Sequence, residues 1–116
     1  MKISTHGNVL EVSEIEALDA AHSSAFQSAV TAALPAIPSL IDIDLTRTRF
    51  VDCGGLGALV ALRKTARRQN CNATLRLVNP PRALRRIAQL TGIDGTFSMS
   101  STVNGSRWRE AEIATG

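Results

Sequence analysis

The densest chemistry in this sequence lies in one short run, Phe50-Val51-Asp52-Cys53-Gly54-Gly55-Leu56-Gly57. It sets a thiol and three glycines just ahead of an apolar, helix-periodic stretch, so the nucleophile stands at a strand-to-helix junction. Backbone N–H groups in a first helical turn lack intrahelical partners, so they favour an anion and lower the pKa of a thiol placed there. A phosphate cradle would need Gly-x-x-x-x-Gly-Lys-Ser/Thr, or a third glycine completing Gly-x-Gly-x-x-Gly. Neither is present, because Gly55-Leu56-Gly57 runs on into Ala58-Leu59-Val60. A nucleophilic cysteine needs a base, and only His6 and His22 are offered, neither at a recognisable spacing from Cys53. Asp52 also opposes thiolate formation. A small residue filling a tight turn is the simpler reading of Cys53, and no enzymatic activity is expected. Gly54 and Gly55 then serve close backbone approach to another molecule, with Leu56 either an apolar contact or a core residue.

No other cluster competes. Cys71 lies eighteen positions beyond Cys53 with no Cys-x-x-Cys and no paired histidines, so neither a metal nor another cofactor is expected. Cys71 reads as a small buried or half-buried residue. Asp42 and Asp44 alternate along a strand, which predicts that they solvate its outer face rather than act as an acid pair.

The elements that must position the junction follow from periodicity. Lys2–Thr5 and Val9–Ile15 read as strands joined through His6-Gly7-Asn8. Asp19 reads as the N-cap of a helix with Phe26, Val30, Ala33 and Leu34 on one face, stopped by Pro35 and Pro38. Leu40-Ile41-Asp42-Ile43-Asp44-Leu45 alternates as a strand, and residues 46–53 form a connection turning Phe50 and Val51 inward. From Gly54 a helix runs to about Gln69 on Leu59, Leu62 and Ala66. Ala73–Val78 is a strand. Asn79 caps a helix opened by Pro80-Pro81, apolar on Ala83, Ile87 and Leu90 and closed by Thr91-Gly92. Thr96–Met99 reads as a last strand and Gly105–Ile113 as a last helix. Strands alternating with helices predict an α/β fold: a mixed sheet of four or five strands, opened by a hairpin, with helices mainly on one face.

At 116 residues the chain fits a single domain over 1–116, large enough to bury a core without disulfides or metal. Only Phe26, Phe50, Phe97 and Trp108 are aromatic, so that core is aliphatic. No apolar run approaches the roughly 20 residues of a membrane span and no secretory signal opens the chain, so a cytoplasmic protein without membrane insertion is expected. Residues 1–46 hold six acids and one base, whereas 47–116 hold twelve bases and four acids. The bases sit at helical spacing (Arg63/Arg67, Lys64/Arg68, Arg82/Arg85/Arg86) without interleaved aromatics. Solvated helix faces explain them better than direct nucleic-acid binding, with an acidic protein partner between those readings.

With these residues in place, the chain resembles the STAS domain, the sulphate-transporter and anti-sigma-factor-antagonist module. Leu40–Leu45 followed by Phe50–Leu59 looks like the family's core. Leu75-Arg76-Leu77-Val78-Asn79-Pro80 and Leu90-Thr91-Gly92-Ile93-Asp94 match its later strand ending in Asn-Pro and helix ending in Leu-Thr-Gly. Glu16-Ala17-Leu18-Asp19 resembles the family's Gly-Glu-Leu-Asp with its Gly and Glu replaced. The resemblance implies a non-enzymatic, bacterial partner-switching protein that binds an anti-sigma factor or a serine kinase and so regulates transcription. It implies a partner surface at Asp19, Asp52, Cys53, Gly54, Gly55 and Leu56, and it is compatible with a weak homodimer. In the family a kinase phosphorylates the serine of Asp-Ser-[small]-Gly and binding is lost; here that phosphoacceptor position is Cys53. An antagonist without phosphorylation control is the first reading. A STAS subunit of a lipid-transport ABC complex is the alternative, and a redox switch at Cys53 stands third.

Overall fold

The computed structural model describes residues 1–93, 95 and 97–100, together with the backbone of 102–103 and 106–107. Strands β1 (Lys2–His6) and β2 (Val9–Ser13) form an antiparallel hairpin in which His6 pairs with Val9. Its two-residue loop starts at Gly7 with φ 61°, a left-handed value that glycine adopts without steric cost. The chain continues through β3 (Ala17–Leu18), α1 (Ser23–Ala33), β4 (Leu40–Asp44), β5 (Phe50–Val51), α2 (Cys53–Gln69), β6 (Thr74–Val78), α3 (Arg82–Thr91) and β7 (Ser98–Ser100). The main sheet is ordered β1-β2-β4-β6-β7, antiparallel at β1 and parallel thereafter. This is the mixed five-stranded α/β sheet expected.

Register lines the apolar side chains up in rows. Leu10, Ile41 and Leu75 face one another across β2, β4 and β6, as do Val12, Ile43 and Leu77, and all six are buried. Phe26 and Val30 of α1, Leu56, Leu59, Leu62 and Ala66 of α2, and Leu84 and Ala88 of α3 join the same core cluster. The helices therefore pack on the apolar face, at roughly 1.5–3 kcal/mol for each large side chain fully withdrawn from water.

The opposite face differs from the sequence expectation. Asp42 is only 3% exposed rather than solvated. Arg76, its register partner on β6, donates to its two oxygens from Nε at 3.0 Å and Nη2 at 2.9 Å. A carboxylate withdrawn from water needs such a bidentate partner, and one placed 34 residues away is invisible to local pattern. Asp44 instead accepts from the Thr46 backbone N–H at 3.0 Å, closing the chain after β4.

Other expectations shift for identifiable reasons. Asp19 is not the N-cap of α1; His22 holds that position without a side-chain cap bond. Asn79 has a left-handed φ of 52°, and Pro81 occupies the N-cap of α3. That helix buries Leu84 and Ala88 rather than Ala83 and Leu90, and Leu90 is 77% exposed. Leu84, Ile87 and Ala88 satisfy the helical period as well as the expected set does, and with Leu84 inward Leu90 points about 120° away. Gly92, at φ 76°, closes α3 as expected. Cys71 is exposed, not buried. At the C-terminal end, β8 (Thr102–Val103) pairs antiparallel with β9 (Ser106–Arg107), so the helix expected over 105–113 does not include 106–107; Gly105 and 108–113 lie outside the described residues.

Candidate functional site at the start of the second helix

A miniature sheet builds the site. Strands β3 and β5 pair in parallel, Ala17 with Phe50 and Leu18 with Val51. The buried Thr48 hydroxyl supports this pairing by donating to the Ile15 carbonyl at 2.6 Å. Each strand is two residues long, too short for a period to show in sequence. Their pairing brings together Asp19 and Asp52, the ends of two segments 33 residues apart in the chain.

Asp52 then ties these segments. It is the N-cap of α2, and its Oδ1 accepts from the Gly55 N–H at 3.0 Å. Its Oδ2 accepts from the Ala20 N–H at 3.2 Å, and its own N–H donates to the Leu18 carbonyl at 3.3 Å. One carboxylate thus satisfies an orphan donor of the helix and holds the turn leading to α1. Asp52→Ala is expected to lower stability by about 1–2 kcal/mol, measured by urea denaturation, while Asp52→Asn should lose less because its amide oxygen still accepts.

The Asp19 carboxylate accepts from the His22 backbone N–H at 3.0 Å and faces the His22 ring Nδ1 at 2.6 Å. These bonds, the ring contact foremost, hold the Asp19 carboxyl below its ordinary 3.8. A depressed carboxyl pKa stabilises the fold above that ordinary value, and the contribution is lost as pH falls through the lowered one.

The glycines serve a different contact from the one expected. A Cβ on Gly55 would lie 1.8 Å from the Leu18 carbonyl oxygen, and one on Gly54 would lie 2.7 Å from the Ala20 Cα. The close approach is made within the chain: the start of α2 is pressed against the segment from β3 to α1, which leaves no room for a side chain. Gly55 is buried, and Leu56 is 3% exposed in the core. Neither offers a side-chain surface to a partner, and a substitution at Gly55 would test folding rather than binding. Gly54 is half-buried.

Cys53, Asp52 and Ala20 remain exposed on the rim. Cys53 opens α2 as a free thiol. Phe50 was expected inward but is 66% exposed. It lines an open groove of about 880 Å³ with Ile15, Ala17, Asp19, His22 and Phe26. The outward turn of Phe50 is not legible in the sequence because a strand of two residues, Phe50–Val51, is too short to show an alternation. The rim therefore offers an apolar ring, a thiol and a fixed carboxylate–imidazole pair. Among the described residues no group of three or more His, Cys, Asp or Glu side chains is placed to hold a metal ion.

Comparison with known proteins places this geometry. Residues 1–101 match the family model described as Mlab, STAS domain. The chain belongs to the STAS domain family. No curated protein matches this STAS chain significantly in sequence. Solved structures share its fold. An anti-sigma factor antagonist assignment is carried by TM1081 of Thermotoga maritima, which superposes with a TM-score of 0.72 at 16% identity, covering 98% of this chain and 91% of that one. The Bacillus cell fate determinant SpoIIAA in its phosphorylated form gives 0.62 at 17% identity, covering 99% and 98%. Unphosphorylated SpoIIAA, an anti-sigma factor antagonist, gives 0.65 at 16% identity, covering 98% and 93%. No helix among the described residues of this STAS domain is long and apolar enough to cross a membrane.

Proposed function

We propose that this STAS domain is a non-catalytic, cytoplasmic partner-binding module of the anti-sigma-factor-antagonist kind, acting on transcription through an anti-sigma factor or serine kinase and lacking phosphorylation control. The observation that carries the proposal is the exposed Cys53 at the first turn of α2, directly after Asp52 and three residues beyond the exposed Phe50. A rigid helix start beside an apolar ring suits docking of another protein, since aromatic anchors dominate such contacts. The partner surface is Asp19, Asp52, Cys53 and the rim at Gly54, widened by Phe50; Gly55 and Leu56 shape it from beneath.

At the position where the family carries its phosphoacceptor serine, a phosphate would add about −1.5 to −2 charges beside Asp52 and repel an interface that must desolvate. A thiol is not an acceptor for an ordinary serine kinase, so binding at this surface is constitutive. Incubating the chain with its cognate kinase and ATP is expected to leave Cys53 unmodified, whereas Cys53→Ser, nearly isosteric, becomes phosphorylated. Phosphate at residue 53 of the unaltered chain, detected by mass spectrometry, would overturn this reading.

A second reading is favoured by the same missing hydroxyl and by the family model named Mlab. A chain that cannot be switched off suits a permanent subunit, here the STAS component of a lipid-transport ABC complex. Pull-down from the source cell separates the two readings: an anti-sigma factor or kinase supports the first, an ABC ATPase the second.

A further inference from the structure

We propose that the outer surface of α2 and α3 is a docking face for an anionic lipid bilayer. From Cys53 to Ile93 the sequence contains eight arginines and lysines and no aspartate or glutamate. Arg76 is engaged with Asp42, which leaves Arg63, Lys64, Arg67 and Arg68 on α2 and Arg82, Arg85 and Arg86 on α3. Six of these seven side chains are exposed and Arg63 is half-buried. None is in an ion pair among the described residues. The two helices touch one another, and both carry their bases on exposed positions. Leu90 adds the one large exposed apolar side chain that either helix presents among the described residues.

The composition of this face selects its partner. A protein interface is built round an apolar core rich in aromatic residues, and this face has none. Single-stranded nucleic acid needs aromatic platforms, which are equally absent. A planar anionic surface asks only for clustered cations and gains from a protruding leucine. The bases begin ten residues into α2, about 15 Å along the helix from Cys53, so a protein partner and a bilayer can be engaged together. The proposal does not depend on the partner assigned above.

The test is co-sedimentation of the full chain with phosphatidylcholine vesicles, neutral or containing about one-third phosphatidylglycerol. Binding is expected on the anionic vesicles alone and should fall at least tenfold between about 0.05 and 0.3 M salt. Each base near the surface contributes roughly fivefold, so Arg82→Gln/Arg85→Gln/Arg86→Gln should bind about 100-fold more weakly. Thermal melting verifies that this variant folds; should it not, Lys64→Gln/Arg68→Gln on α2 is expected to bind about 25-fold more weakly. Cys53→Asp should leave vesicle binding unchanged, which separates this face from the partner surface. Equal binding to both vesicle types, no binding to either, or unchanged binding by folded charge variants would overturn the proposal. So would capture by duplex DNA at matched phosphate concentration without capture by vesicles, which would make the face a nucleic-acid surface.

Discussion

Gly55→Ala is expected to destabilise the domain by roughly 3 kcal/mol or more, through overpacking against a neighbour that cannot yield. The added Cβ would sit 1.8 Å from the Leu18 carbonyl oxygen, and that neighbour is backbone rather than a flexible side-chain end. Relief requires β3 to move away from α2, which also strains the Asp52 bonds to Ala20 and Leu18. Two residues further along the same helix the sign reverses. A Cβ on Gly57 meets nothing within 4 Å, and Gly57→Ala should stabilise by about 0.5–1 kcal/mol because alanine loses less backbone entropy in a helix. Parallel chemical denaturation of the two variants checks both signs. Equal stabilities would mean that the α2–β3 contact is looser than described.

Asp42→Ala is expected to cost about 3 kcal/mol, the low end for breaking a buried ion pair, because Arg76 keeps 22% of its side chain exposed. The loss removes two charge-assisted hydrogen bonds from the middle of the sheet, where water replaces them poorly. Replacing both residues with leucine should recover most of that loss, since the desolvation cost disappears with the charges. A double-mutant cycle followed by urea denaturation measures the coupling. A coupling near zero would show that the pair contributes no net stability.

These two sites mark where sequence reading succeeded and where it stopped. The alternation in Leu40–Leu45 and the helical spacing of Leu59, Leu62 and Ala66 identified β4 and the buried face of α2, because each pattern is local and repeated. The glycines were recognisable as a place of close approach, but their partner was not. Leu18 lies 37 residues before Gly55, and nothing local announces that two-residue strands will pair. A different long-range pairing, β4 with β6, hid the burial of Asp42 against Arg76. On α3 the period was legible and the phase was not, since Leu84 and Leu90 both fit an apolar face until packing chooses between them. Asp52 and Cys53 were legible as site residues through the strand-to-helix junction and its likeness to the STAS motif, whereas the cap that Asp52 makes to the Gly55 N–H was not, because the helix was expected to start at Gly54 and begins at Cys53.

The partner surface is tested most directly by the affinity of the partner recovered with the unaltered chain, measured by calorimetric titration against that chain and against Cys53→Asp, with thermal melting of both. A second carboxylate beside Asp52 adds like charge at an exposed helix start without entering the core, so the melting temperature should move little. Affinity should fall tenfold or more, about 1.4 kcal/mol. Unchanged affinity in an equally stable variant would contradict the assignment of this helix start as the binding surface.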